Sequence, residues 1–151
     1  MDIGSRNKYP AGALSNFSPH PFIFDGVKCS SMKGLLQAFK FDKKHIQVEV
    51  CKLTGIAAKK RGSKRNWQIK QKLWWDEECY ARGGDGYQAL LDRAYEALAK
   101  NEKFKKALLA TNEATLTHSM GKRKKSLTVL TEREFCSRLM KLRNKLQRMS
   151  K

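Results

Sequence analysis

A helix-rich α+β fold with a small β-hairpin is what this sequence predicts, and three observations predict it. Apolar side chains recur at helical spacing over most of the chain, and one short alternating stretch closes on an Asp-Gly pair. No tandem repeat and no Pro/Gly/Ser-rich linker divides the 151 residues, so residues 1–151 are read as a single compact domain. A chain of that length buries one substantial core. Its 40% hydrophobic and 9% aromatic content is that of a folded globule, not of a disordered polyelectrolyte.

Taken in order, "PFIFDGVKC" alternates Phe22, Phe24 and Val27 around Asp25-Gly26, a pair able to adopt positive φ at both centres, and predicts a hairpin. The stretch "SSMKGLLQAFKF" predicts a helix from about Ser31 to Phe41, with Ser30 or Ser31 as N-cap and Met32, Leu35, Leu36 and Phe39 on one face. If Ser30 is the cap, Lys33 occupies the place where a capping box carries Glu or Gln. A second helix is expected from about His45 to Thr54, ending at Gly55. The run "AAKKRGSKRNWQIKQKLWW" has no acid and three tryptophans, Trp67, Trp74 and Trp75. Two readings stay open for it: bases interleaved with rings that grip phosphate and stack on nucleobases, or a solvated basic helix whose tryptophans face the core.

"DEECYARGGDG", residues 76 to 86, is expected to be a loop. Helical periodicity resumes from Tyr87 through about Ala99 and again in "KFKKALLAT"; "ATLTHS" and "SLTVL" read as short strands, with the basic loop "GKRKK" between them. The last element opens on a capping box, Thr131 with Glu134. It continues as an apolar stripe through Phe135, Leu139, Leu142, Leu146 and Met149, expected to pack on the domain.

The outlier is charge. With 32 Lys plus Arg against 14 Asp plus Glu, the net +18 attracts phosphate-bearing partners, nucleic acid among them. No apolar run approaches the length of a spanning helix and "MDIGSRNKYP" lacks a signal-peptide core, which predicts a cytoplasmic protein with no membrane partner. Cys29, Cys51, Cys79 and Cys136 form no C-x-x-C, and His20, His45 and His118 are scattered. Reduced, mostly buried thiols are expected, with no metal site and no cofactor.

Several segments fall in a known order. "LSNFSPHPFIFDG", "SSMKGLLQAFKF", "AAKKRG" followed by "RNW", and "KFKKALLATNEATLTHS" resemble the NADAR superfamily, linked to NAD and ADP-ribose metabolism and including N-glycosidases associated with riboflavin biosynthesis. The likeness runs from about Leu14 to Arg143. The insert from Trp74 to Asp92 and the ending "VLTEREFCSRLMKLR" look like the branch found in tailed bacteriophages, whose members would act in the host cytoplasm. The resemblance implies a NADAR-like α+β fold, a pocket for an ADP-ribosyl or related ribosylated nucleotide, and hydrolysis of an N-glycosidic bond. Such cleavage builds positive charge on the sugar, which a carboxylate stabilises while it activates water or moves a proton.

The family pattern opens its helix with S-S-E-H; here Lys33 and Gly34 stand at the last two positions, and the family's D-x-W-G and G-K-N elements are not recognisable in "THSMGKRKKSLTVL". By matching position, the resemblance puts Lys33 at the chemical centre and Asn16, Phe17, Ser31, Gln37, Lys40, Phe41, Arg61, Gly62 and Trp67 around the ligand. Gln37 and Lys40 share a helix face, Lys40 suits a phosphate, and Arg61 suits a diphosphate with Gly62 permitting close backbone approach. Asp76, Glu77, Glu78 and Asp85 are the substitute carboxylates if their loop folds over the pocket. Two rival functions remain: a non-catalytic nucleotide sponge or counter-defence protein, which Lys33 favours, and a basic nucleic-acid-binding protein, which the charge favours.

Overall fold

The computed structural model describes residues 1–150, and among them are six α-helices and two separate two-stranded antiparallel sheets, the α+β class that the sequence predicts. Strand β1 (Phe22–Phe24) pairs with β2 (Val27–Cys29) across Asp25-Gly26, whose φ angles of 47° and 79° give the left-handed turn that matches strand twist. Phe22, Phe24 and Cys29 turn inward, while Ile23 and Lys28 face water.

Helix α1 (Met32–Ala38) is shorter than its apolar pattern, because the amides of Lys40 and Phe41 bond back only three residues, to Gln37 and Ala38. Its cap is Ser31, whose Oγ accepts from the Gly34 amide at 3.1 Å and donates to the Leu53 carbonyl at 3.0 Å. Lys33 is therefore the second helical residue, and the empty capping-box position falls at Gly34. Glycine is needed there for another reason. A Cβ on Gly34 would stand 2.7 Å from the Leu53 carbonyl oxygen and 3.0 Å from that of Val50, so α1 rests directly on the end of α2 (Lys44–Cys51). The glycine expected to terminate that second helix instead begins α3 (Gly55–Ser63), with φ 51°.

Residues 76 to 86 are not one loop. Strand β3 (Lys72–Trp75) turns at Asp76-Glu77 into β4 (Glu78–Ala81), with φ 49° and 70° at the two turn residues. Tight hairpins usually carry Asn-Gly or Asp-Gly at such angles, so Asp-Glu gives no warning of the turn. An ion pair from Lys44 to Asp76 at 2.9 Å ties it to α2. Leu73 and Trp75 are buried, and the Trp75 indole donates to Asp25 at 2.8 Å, joining the two sheets.

Helices α4 (Asp85–Leu98) and α5 (Glu102–Ala110) follow, and α6 (Glu132–Met149) opens on the expected capping box. Its packing comes from Phe135 and Leu139, which are buried, whereas Met149 at the end of the stripe is exposed. The two strands expected near the basic loop do not form. "ATLTHS" contributes one parallel bridge, Thr117 to Asp2, and "SLTVL" begins in a single 3₁₀ turn, Lys125–Leu127. A strand needs a partner along its length. Here the carbonyls of Thr128 and Val129 are claimed instead by Arg82 Nε at 2.8 Å and the Tyr87 hydroxyl at 2.6 Å. All four cysteines are free, with Cys79 exposed on β4 and the other three buried. Among the described residues no helix is long and apolar enough to cross a membrane.

Candidate functional site

The contact between α1 and α3 opens on one side into a cleft of about 450 Å³, closed opposite by residues 118–130 and the start of α6. Five of its lining side chains are cations: Lys33, Lys40, Lys59, Arg65 and Lys122. No carboxylate of the described residues lines it. Asp42 stands 3.8 Å from the Arg65 guanidinium and is itself exposed. Asp76, Glu77, Glu78 and Asp85, the substitute carboxylates, sit at the β3–β4 hairpin and the start of α4, none of them on the cleft wall.

So much like charge in a half-buried space moves the amines. Burial pushes the Lys33 ammonium down first, and the neighbouring Lys40, Lys59 and Lys122 charges push it further, to about 8. Lys40 is likewise lowered to about 8, by burial and then by Lys122. Lys33 Nζ lies 5.5 Å from the centroid of the Phe17 ring, whose face supplies the favourable contact that no carboxylate does.

Of the residues singled out from the sequence, Asn16, Lys33, Gln37, Lys40 and Trp67 line the cleft. Asn16 accepts the Tyr95 hydroxyl on Oδ1 at 2.7 Å, leaving its NH₂ for a polar ligand group. Trp67 is 5% exposed, part of the core while it also borders the cleft, and Trp75 is buried too, as the core-facing reading of those tryptophans expects. Phe17 and Ser31 stand behind the wall, one against Lys33 and the other as the α1 cap. Arg61 and Phe41 lie outside the lining, stacked on each other with the guanidinium 4.7 Å from the ring centroid.

Gly62 positions Gln37. A Cβ at residue 62 would fall 1.7 Å from Gln37 Oε1 and 3.0 Å from its Cβ, and that buried Oε1 has no hydrogen-bond partner among the described residues. The Gly62→Ala variant is expected to lose about 1–3 kcal/mol of stability through overpacking. It should also drive Gln37 into the cleft, and thermal denaturation measures the first effect.

Among the lining residues that carried no assignment from the sequence, four have ionisable side chains: Lys59, Arg65, His118 and Lys122. The three cations lie in basic runs whose composition signals affinity for phosphate without saying which side chains converge. His118 gave no signal; its Nδ1 is 2.7 Å from the Ile3 carbonyl and its ring packs edge-on against Phe135.

A family model described as bacteriophage protein GP30.3 matches residues 8–144. A 17.1 kDa protein from the Gp30–rIII intergenic region of Enterobacteria phage T4 is 34% identical over 149 residues, covering 97% of this chain and 98% of that protein. Among solved structures, that of the E. coli protein YbiA superposes with a TM-score of 0.64 at 18% identity, over 98% of this chain and 84% of YbiA. At that identity the likeness speaks to fold alone, and it supports the NADAR-like fold expected from the sequence.

Proposed function

The chain belongs to the bacteriophage protein GP30.3 family, and from that premise we propose that its cleft holds an ADP-ribosyl or similar ribosylated nucleotide without cleaving the N-glycosidic bond. The observation that carries this reading is a lining with five cations and no carboxylate. Cations suit the diphosphate, while an ammonium at residue 33 opposes the positive charge that glycosidic cleavage would build on the sugar. The NADAR-like sequence motifs supply the ribosyl part of the reading. The reading treats the chain as one domain, because buried side chains from β1 through α6 share one core, and the bacteriophage origin of the family supports an action in the host cytoplasm.

Calorimetry with ADP-ribose, run beside chromatography of ADP-ribosylated guanosine, tests it. Saturable binding without base release is the expected result. Release of guanine by the wild-type chain would overturn the non-catalytic reading in favour of an N-glycosidase. A second reading has its own observation: basic side chains continue outward from both banks, Lys60 and Arg61 on α3 with Lys64 just after it, and Arg123, Lys124 and Lys125 opposite. Steeply salt-dependent binding to any DNA, with no preference for ADP-ribose, would favour that nucleic-acid reading.

The lowered amines give the binding a pH signature. Lys33 and Lys40 are charged below about 8 and lose their protons above it. A bound diphosphate favours the charged forms, so affinity should be full near pH 6.5 and fall by about tenfold towards pH 9.5. At pH 8 binding should take up protons, seen as a calorimetric heat that changes with the ionisation enthalpy of the buffer.

A further inference from the structure

Among the described residues Lys33 forms no ion pair, and its amine meets an aromatic face inside a cleft that none of their carboxylates lines. A lysine amine becomes a nucleophile when desolvation and adjacent cations favour its neutral form. Both conditions meet at Lys33, where burial and the charges of Lys40, Lys59 and Lys122 act together and the Nζ lies 5.5 Å from the Phe17 ring centroid. With the Lys33 amine near 8, roughly a tenth of it is free at pH 7, against roughly one in a few thousand for an ordinary lysine.

We infer that Lys33 is a nucleophile that captures the open-chain aldehyde of a reducing ribose phosphate, such as ADP-ribose with a free anomeric centre, as a reversible imine. The inference rests on the reading of the cleft as a ribosyl-nucleotide site. The Nζ lone pair forms the bond to C1 while the carbonyl π pair moves to oxygen, which takes up one of the protons that nitrogen gives up and so yields a neutral carbinolamine. Loss of that hydroxyl as water leaves the C=N bond. One amine and one aldehyde thus become one imine and one water, no metal, oxidant or reductant enters, and water reverses the step. The remaining cations hold the phosphates, so the aldehyde is presented to one amine at high effective concentration.

The test is to incubate the full-length protein with ADP-ribose and sodium cyanoborohydride, which reduces an imine to a stable secondary amine, and to map the adduct by mass spectrometry. The expected result is one saturable adduct per chain on Lys33, forming at least about tenfold faster than on any other lysine, Lys40 included. Excess ADP, which has the phosphates but no reducing C1, should suppress it, and Lys33→Arg should abolish it. Adducts spread evenly over surface lysines, or concentrated on Lys40, with calorimetric ADP-ribose binding intact, would overturn the inference and leave the cleft reading standing. Absence of ADP-ribose binding would overturn the cleft reading and the inference together.

Discussion

Replacing Lys33 with glutamate is expected to raise release of guanine from ADP-ribosylated guanosine by about a hundredfold over the wild-type chain, the lower end of what a positioned acid or base contributes. The argument is electrostatic. Residue 33 points into a space whose other charged walls, Lys40, Lys59, Arg65 and Lys122, are all positive. A carboxylate placed there would be held ionised by those neighbours, ready to stabilise an oxocarbenium-like sugar or take a proton from water. The four remaining cations keep the phosphate contacts, so binding should survive and the change should be read in turnover. Two further signs accompany it: the imine adduct disappears, and the proton uptake on binding at pH 8 falls because one of the two lowered amines is gone. Chromatography of the released base decides the matter. If release stays at background before and after, with ADP-ribose binding retained, the electrostatic account of residue 33 fails.

What the sequence revealed followed from local interactions, and what it hid was tertiary. The β1–β2 hairpin was legible because Asp25-Gly26 marks a left-handed turn, and α6 was legible because Thr131 and Glu134 cap it within four residues. The second hairpin was not, because Asp76-Glu77 adopts the same backbone without the composition that usually reports it. The strand readings of "ATLTHS" and "SLTVL" failed because β propensity says nothing about whether a partner lies alongside. Motif resemblance pointed to Asn16, Lys33, Gln37, Lys40 and Trp67, which the fold brings to one cleft. Lys59 and Lys122 join them because Gly34 and Gly62 let three elements approach closely and because a distant pair, Arg82 and Glu134, fixes the facing wall. No pattern within either segment announces that pair.

Removing one side of that pair is the second large effect expected: Glu134→Ala should lower the unfolding free energy by about 3–5 kcal/mol, the usual consequence of stranding a buried charge. Arg82 is 1% exposed and Glu134 6%, and the two meet bidentately at 3.0 and 2.6 Å. Glu134 also accepts from Gln88 at 2.6 Å and from the Thr131 amide at 2.8 Å, while Arg82 Nε reaches the Thr128 carbonyl. Threonine 128, Val129 and Leu130 are cleft wall, so the pair anchors the site as well as the fold. Burial alone would raise the Glu134 pKa; the hydrogen bonds from Arg82, Gln88 and Thr131, with the guanidinium charge, outweigh it and hold the carboxyl at about 2. A carboxyl lower in the folded than in the unfolded state stabilises above its unfolded value near 4.3 and loses that contribution as pH falls towards 2, about 3 kcal/mol in all. Wild type should therefore weaken steeply between pH 4.5 and 2 on this account, and Glu134→Ala, already weakened at pH 7, should show a shallower loss across the same window. Denaturant unfolding of both proteins at pH 7, 4.5 and 3 measures the difference, and parallel losses in the two would remove Glu134 from the explanation.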